Sequence, residues 1–160
     1  MHLTFAPRGI IQIDDARITH RNFSGVGTQF NREGDRNFSL IIDDEEIANA
    51  LVEAGWNVRI KPPREEGDSP FMYLPIKIKV NERGPNFYLS SGRAMVKLDI
   101  DGIGCLDNVD IASVSLDVRP YDWELPSGKT GRSAYLQSIR VTQRINDRFA
   151  DEYAQYNDEM

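Results

Sequence analysis

The stretch "FMYLPIKIKV" (Phe71–Val80) decides how the chain is read. Met72, Leu74, Ile76, Ile78 and Val80 take every second position and fall on one face of an extended chain, while Phe71, Tyr73, Lys77 and Lys79 fall on the other. A continuous aliphatic row opposed by a polar and aromatic one describes a strand with one side in a core, as in antiparallel sheets and barrels. The same period runs outward in both directions. Before it, Trp56, Val58 and Ile60 alternate with Asn57, Arg59 and Lys61; after it, Ala94, Val96, Leu98 and Ile100 alternate with Met95, Lys97 and Asp99. Further strands are expected at 9–13, 17–23 and 36–42. Two more follow over "VDIASVSLDVRP" (109–120), whose phase shifts near Ala112 as at a β-bulge, and over "SAYLQSIRVTQRI" (133–145), with Tyr135, Ile139, Val141 and Ile145 on one side.

One helix interrupts the strands. Asp43 is placed to cap its start with Glu46 three residues on; Ile47, Ala50, Leu51 and Ala54 form an apolar stripe, and Gly55 supplies the stop. A short second helix is expected over 147–156, and "PPREEGDSP" (62–70) reads as a surface loop. At 160 residues the chain fits one domain. Many short strands with one inserted helix predict a mainly β fold over residues 1–150: an OB-fold-like antiparallel barrel with one inserted helix and a short C-terminal helix, a β-sandwich being the alternative. Residues 151–160 form an acidic tail.

Composition removes several classes of function. Cys105 is the sole cysteine, and His2 and His20 the sole histidines, so an internal disulfide is excluded and no Cys/His metal cage or cofactor is expected. "GKT" (Gly128–Thr130) lacks the upstream glycine of a phosphate-binding loop, and the carboxylates of "LDIDGIGCLDN" (98–108) lack calcium-loop spacing. No nucleophile stands beside an activating base, so the chain is expected not to be an enzyme. No run is apolar enough to cross a bilayer, and "MHLTFAPRGI" has no secretory pattern, which leads to the expectation of a soluble, cytoplasmic protein with no membrane partner. The net charge is −6, with 19 basic against 25 acidic residues, yet 147–160 alone contributes −4. Local patches therefore govern what the remainder attracts.

Three regions share one chemical habit. On the outward face of the 71–80 strand Phe71 and Tyr73 stand with Lys77 and Lys79, next to Arg59 and Lys61. "RNFSGVGTQFNREGDRNFS" (21–39) holds Arg-Asn-Phe-Ser twice; Arg21 and Phe23 are two apart and expected on one face, and the glycines between make a mobile loop presenting Phe30 and Arg32. "RPYDWELPSGKTGRSAY" (119–135) interleaves Trp123, Lys129, Arg132 and Tyr135 in what reads as a long inter-strand loop. Single-stranded nucleic acid asks for this mixture, since every base has a π-face to stack on a ring and every phosphate a charge for Lys or Arg to neutralise. The same surface would serve as a hot spot in the rival reading, a protein-binding β-domain such as a phage inhibitor or adaptor.

The strands around one helix, the basic and aromatic hairpin, the "W…GKTGRSAYLQSIRV" stretch (Trp123–Val141) and the acidic end resemble the small OB-fold single-stranded DNA-binding proteins of bacteriophages. That resemblance implies a sequence-independent single-stranded DNA-binding protein of phage DNA replication and recombination, working in the cytoplasm of a bacterial host. It also implies recruitment of replication or recombination proteins through the acidic tail, and the possibility of homo-oligomers. Tyr153 and Tyr156 beside the tail's acids suit such recruitment, although "YNDEM" is short for it. An acidic tail could also compete with DNA for a basic groove.

Overall fold

The computed structural model describes residues 1–145 and Phe149; the helix expected near 147–156 and the acidic tail otherwise lie outside the described residues. Among the described residues there are nine strands and one α-helix: β1 (His2–Phe5), β2 (Ile11–Asn22), β3 (Arg36–Ile42), α1 (Glu45–Glu53), β4 (Arg59–Lys61), β5 (Phe71–Ile78), β6 (Asn86–Ser91), β7 (Ala94–Leu98), β8 (Ile111–Glu124) and β9 (Thr130–Gln143). A 3-10 turn, Ile103–Asp107, precedes β8.

Five strands form a ring. Antiparallel pairings join β5 to β3, β3 to β2, β2 to β8 and β8 to β9, and a parallel contact, Ile76 with Ala134 and Lys77 with Tyr135, closes β5 onto β9. The expected OB-like barrel is present, and its closure is parallel. Beyond the closure β9 leaves β5 and pairs with β6, from Asn86↔Ser138 to Ser90↔Thr142, so that β6 and β7 extend the sheet past the ring. The core follows the period read from the sequence: Leu74, Ile76 and Ile78 of β5 meet Ile11, Ile13, Leu40, Val114, Leu116, Val118, Leu136, Ile139 and Val141, all buried. With no polar side chain buried among the described residues, burial of this apolar surface supplies the main drive to fold.

Several expectations change. The region 119–135 is not a long loop: β8 and β9 run as a paired ribbon out to Glu124↔Thr130, and only 125–129 turn. The bulge near Ala112 is there, between Ile111 and Ser113. A second one, between Asp117 and Val118 on the β8 side, reverses the phase of β9, so Tyr135 faces outward while Ile139 and Val141 face in. Asp44 rather than Asp43 caps α1, its Oδ1 accepting from the backbone N–H of Glu46 at 2.8 Å. Ile60 and Val96 are exposed because β4 and β7 are edge strands, and Ile100 is exposed in the turn that follows β7. The 62–70 segment is exposed throughout, as expected of a surface loop.

Candidate nucleic-acid interface

Because Leu74, Ile76 and Ile78 point into the barrel, Phe71, Tyr73, Pro75, Lys77 and Lys79 point out. Phe71 and Tyr73 stack on each other, ring centroids 5.5 Å apart, and the register sets Lys61 opposite Phe71 and Arg59 opposite Tyr73. One stacked aromatic pair is thus edged by two cations. Further along, Lys77 lies beside Tyr135 of β9, which lies beside Arg119 of β8; the Arg119 guanidinium sits 4.9 Å from the Tyr135 ring centre, and Tyr121 meets that ring edge-on at 6.0 Å.

Where β5 and β9 diverge above their parallel contact, a groove of about 650 Å³ opens, with Arg59, Lys77, Trp123, Lys129 and Arg132 in its walls and Trp56, Leu74 and Ala134 among its lining. A second furrow of about 530 Å³ shares Lys77 and adds Arg36, Lys79 and Tyr135. A third, of about 210 Å³, shares Lys79 and adds Arg83 and Arg119. The shared lysines make one basic track across the outer face. Asn37 lines both the second furrow and a recess holding Phe30, which places the β2–β3 loop on the track's flank. Arg59, Lys61, Lys77, Lys79, Arg83 and Lys129 have no carboxylate within salt-bridge range among the described residues, so their charge is available to a ligand.

Trp123 owes its place to Gly131, its direct cross-strand partner. A methyl group at 131 would enter the indole, 2.7 Å from Cε2 and 2.8 Å from Cη2, so the ring lies over bare backbone while lining the groove. A flat ring held against a ribbon is a ready platform for a base.

Three expected contacts have other duties. Phe23 is fully buried, stacked on Phe38 at 5.3 Å and edge-on to Phe87 at 6.3 Å, because a bulge between Thr19 and Asn22, with His20 at positive φ, breaks the alternation that had put it on the surface. Arg21 donates to the carbonyls of Leu106 at 2.9 Å and Val109 at 2.7 Å, tying the 3-10 turn to β2. Arg132 grips Asp122 through Nε at 2.7 Å and Nη2 at 3.2 Å, gives Nη1 to the Ala54 carbonyl at 2.6 Å and lies 5.3 Å from the Trp56 ring centre. It clamps the β8–β9 ribbon to the end of α1, and its hydrogen bonds hold the exposed Asp122 carboxyl below the usual range.

The β2–β3 loop is also more ordered than its glycines suggested. Asp107 accepts from the N–H groups of Phe23 and Ser24 and from the Ser24 hydroxyl, at 2.6, 3.2 and 2.7 Å. Asn22 and Asn31 bond to the loop backbone at several points, and Arg36 Nε donates to the Phe23 carbonyl at 2.9 Å. From this scaffold Phe30 projects 89 % exposed, with Arg32 also exposed. Sequence reasoning had not assigned Arg83 or Arg119 to the site; Arg83, in the Asn81–Gly84 turn four residues past Lys79, was legible only as a turn residue, and Arg119 only as one of the cations of 119–135.

A closed OB-like barrel bearing a basic track set with rings defines a nucleic-acid-binding class of protein. The chain belongs to the family described as "putative phage ssDNA-binding domain", whose model matches residues 4–159. Its fold is similar to that of the single-stranded DNA-binding protein from bacteriophage Enc34. The C-terminal truncation of that protein aligns with a TM-score of 0.57 and 14 % identity over 90 % of this chain and 91 % of the other. A second structure of it gives 0.57 and 12 % over 96 % and 99 %. The structure of that protein in complex with ssDNA gives 0.51 and 16 % over 91 % and 92 %. No curated protein matches the chain in sequence.

Proposed function

We propose that the chain binds single-stranded DNA with little sequence preference, laying the strand along the outer face of β5 and β9 between the β2–β3 loop and the β8–β9 turn. One observation carries the reading: three adjoining furrows share Lys77 and Lys79 and so form one track lined by unpaired cations, with the rings of Trp123 and Tyr135 set in its walls. OB-folds use the corresponding face and loops for oligonucleotides, and family membership points the same way. Phe71, Tyr73, Trp123, Tyr135 and Phe30 offer stacking surfaces, and Arg59, Lys61, Lys77, Lys79, Arg83 and Lys129 meet phosphates. From Phe71 to Lys79 the strand spans roughly 26 Å, enough for several nucleotides.

The role is binding without catalysis: coating unpaired DNA during phage replication and recombination in the host cytoplasm, with the acidic tail recruiting replication or recombination proteins. The test is a titration of a thymine 15-mer and of a matched duplex, followed by tryptophan quenching across a salt series. Tight binding of the single strand at low salt is expected, weakening by about 0.7 log units per tenfold salt for each phosphate contacted. Silence at low salt, or equal affinity for the duplex, overturns the proposal.

A further inference from the structure

Past Gln137 the outer face of β9 passes from β5 to β6, and there the register sets Lys97, Tyr88, Arg140 and Ser115 side by side across β7, β6, β9 and β8. Their side chains face out, since Phe87, Ile139 and Leu116, which alternate with Tyr88, Arg140 and Ser115, are buried. Lys97 and Arg140 are exposed and Tyr88 half-buried. Arg140 Nη2 lies 3.3 Å from the Ser115 hydroxyl, and neither cation has a carboxylate in salt-bridge range among the described residues. The row repeats the composition of the first one, Lys77–Tyr135–Arg119: a cation, a tyrosine, a cation. Between the rows lies the furrow of Lys79, Arg83, Pro85, Arg119 and Gln137, which leads to the start of β6. On the other flank Asp117, with Asp14 close enough to repel it, makes the β2 side negative, so a polyanion leaving Arg119 is directed over β9 and β6.

We propose that the track has a second stacking station at Tyr88, with Lys97 and Arg140 meeting the phosphates on either side of it, so that a long single strand is held over both the barrel and the β6–β7 extension. The inference rests on the single-stranded DNA reading above. The second station lies roughly 16 Å beyond Tyr135 along β9, past the roughly 26 Å of barrel track that a short oligomer fills.

The experiment compares thymine 6-mers and 20-mers on the full chain, wild type against the double variant Lys97→Gln/Arg140→Gln and, separately, Tyr88→Leu, which keeps the ring's apolar packing. The double variant should bind the 6-mer as wild type does, lose at least about fivefold on the 20-mer and lower its salt slope by about 1.4, two phosphates' worth. Tyr88→Leu should lose at least about fivefold on the 20-mer alone, the lower end of one stacked base. Wild-type affinity and slope of both variants for the 20-mer, or equal losses on both lengths, would remove the second station and leave the barrel track standing. Failure of the wild type to bind either length at low salt would sink both.

Discussion

Replacing Gly131 with alanine separates the geometry of the groove from the stability of the fold. The glycine is not in the left-handed region, so alanine meets no backbone penalty there; what it meets is the Trp123 indole, 2.7 and 2.8 Å from two ring atoms. Real methyl groups do not approach that closely, so the indole has to leave the ribbon, and the platform goes with it. Loss of one stacked base weakens binding by about 1–3 kcal/mol, which is about 5- to 150-fold in Kd. Stability should hardly move. Alanine reduces the unfolded chain's freedom, worth about 0.4–1 kcal/mol in favour of the fold, and the lost packing of a half-exposed ring is of similar size and opposite sign. Anisotropy of a labelled thymine 15-mer and a thermal melt measure the two quantities on one sample. Gly128→Ala is the control: it sits at φ +87° with nothing within 4 Å, so it strains the turn and leaves the indole alone. If Gly131→Ala binds as tightly as wild type, Trp123 is not a platform and the reasoning fails.

Lys77→Gln, at the join of the first two furrows, should lower the salt slope by about 0.7, one phosphate's worth; an unchanged slope would take Lys77 off the track. Phe23→Ala should cost about 3–5 kcal/mol in urea unfolding, as a core aromatic does. A variant that kept wild-type stability yet lost DNA affinity would restore Phe23 to the surface role its sequence neighbours suggested. Burial, followed by repulsion from Asp14, raises the Asp117 carboxyl above its usual range. Its ionised form is therefore disfavoured in the fold, a cost present at neutral pH and relieved as pH falls through the raised value. Asp117→Asn should accordingly melt higher than wild type at pH 7, with the gap closing near pH ~4, where the unfolded carboxyl also titrates; a gap that widened on acidification would refute the assignment.

Parity along a strand is legible in a sequence only where the strand is regular. β5 has no bulge, pairs on both sides and closes the ring, so counting by two placed its aliphatic row inside and its rings and lysines outside. The same counting failed for Phe23 and Tyr135, each beyond an irregularity that a single extra residue creates. It failed as well for the exposed residues of β4 and β7, because alternation shows which residues share a face without showing whether anything covers it. The duties of Arg21 and Arg132 lay beyond any local signal: their carbonyl partners are 85, 88 and 78 residues away. Most of the track was nevertheless visible as residue types, since Arg59, Lys61, Phe71, Tyr73, Lys77, Lys79, Trp123 and Lys129 stand near one another along short stretches of chain.

Strand β9 serves two neighbours in turn, β5 up to Tyr135 and β6 from Ser138 onward. The ring therefore closes without the β6–β7 hairpin, which is attached like an annex to a wall already standing. The length and charge of that annex are therefore independent of the seam that shuts the barrel.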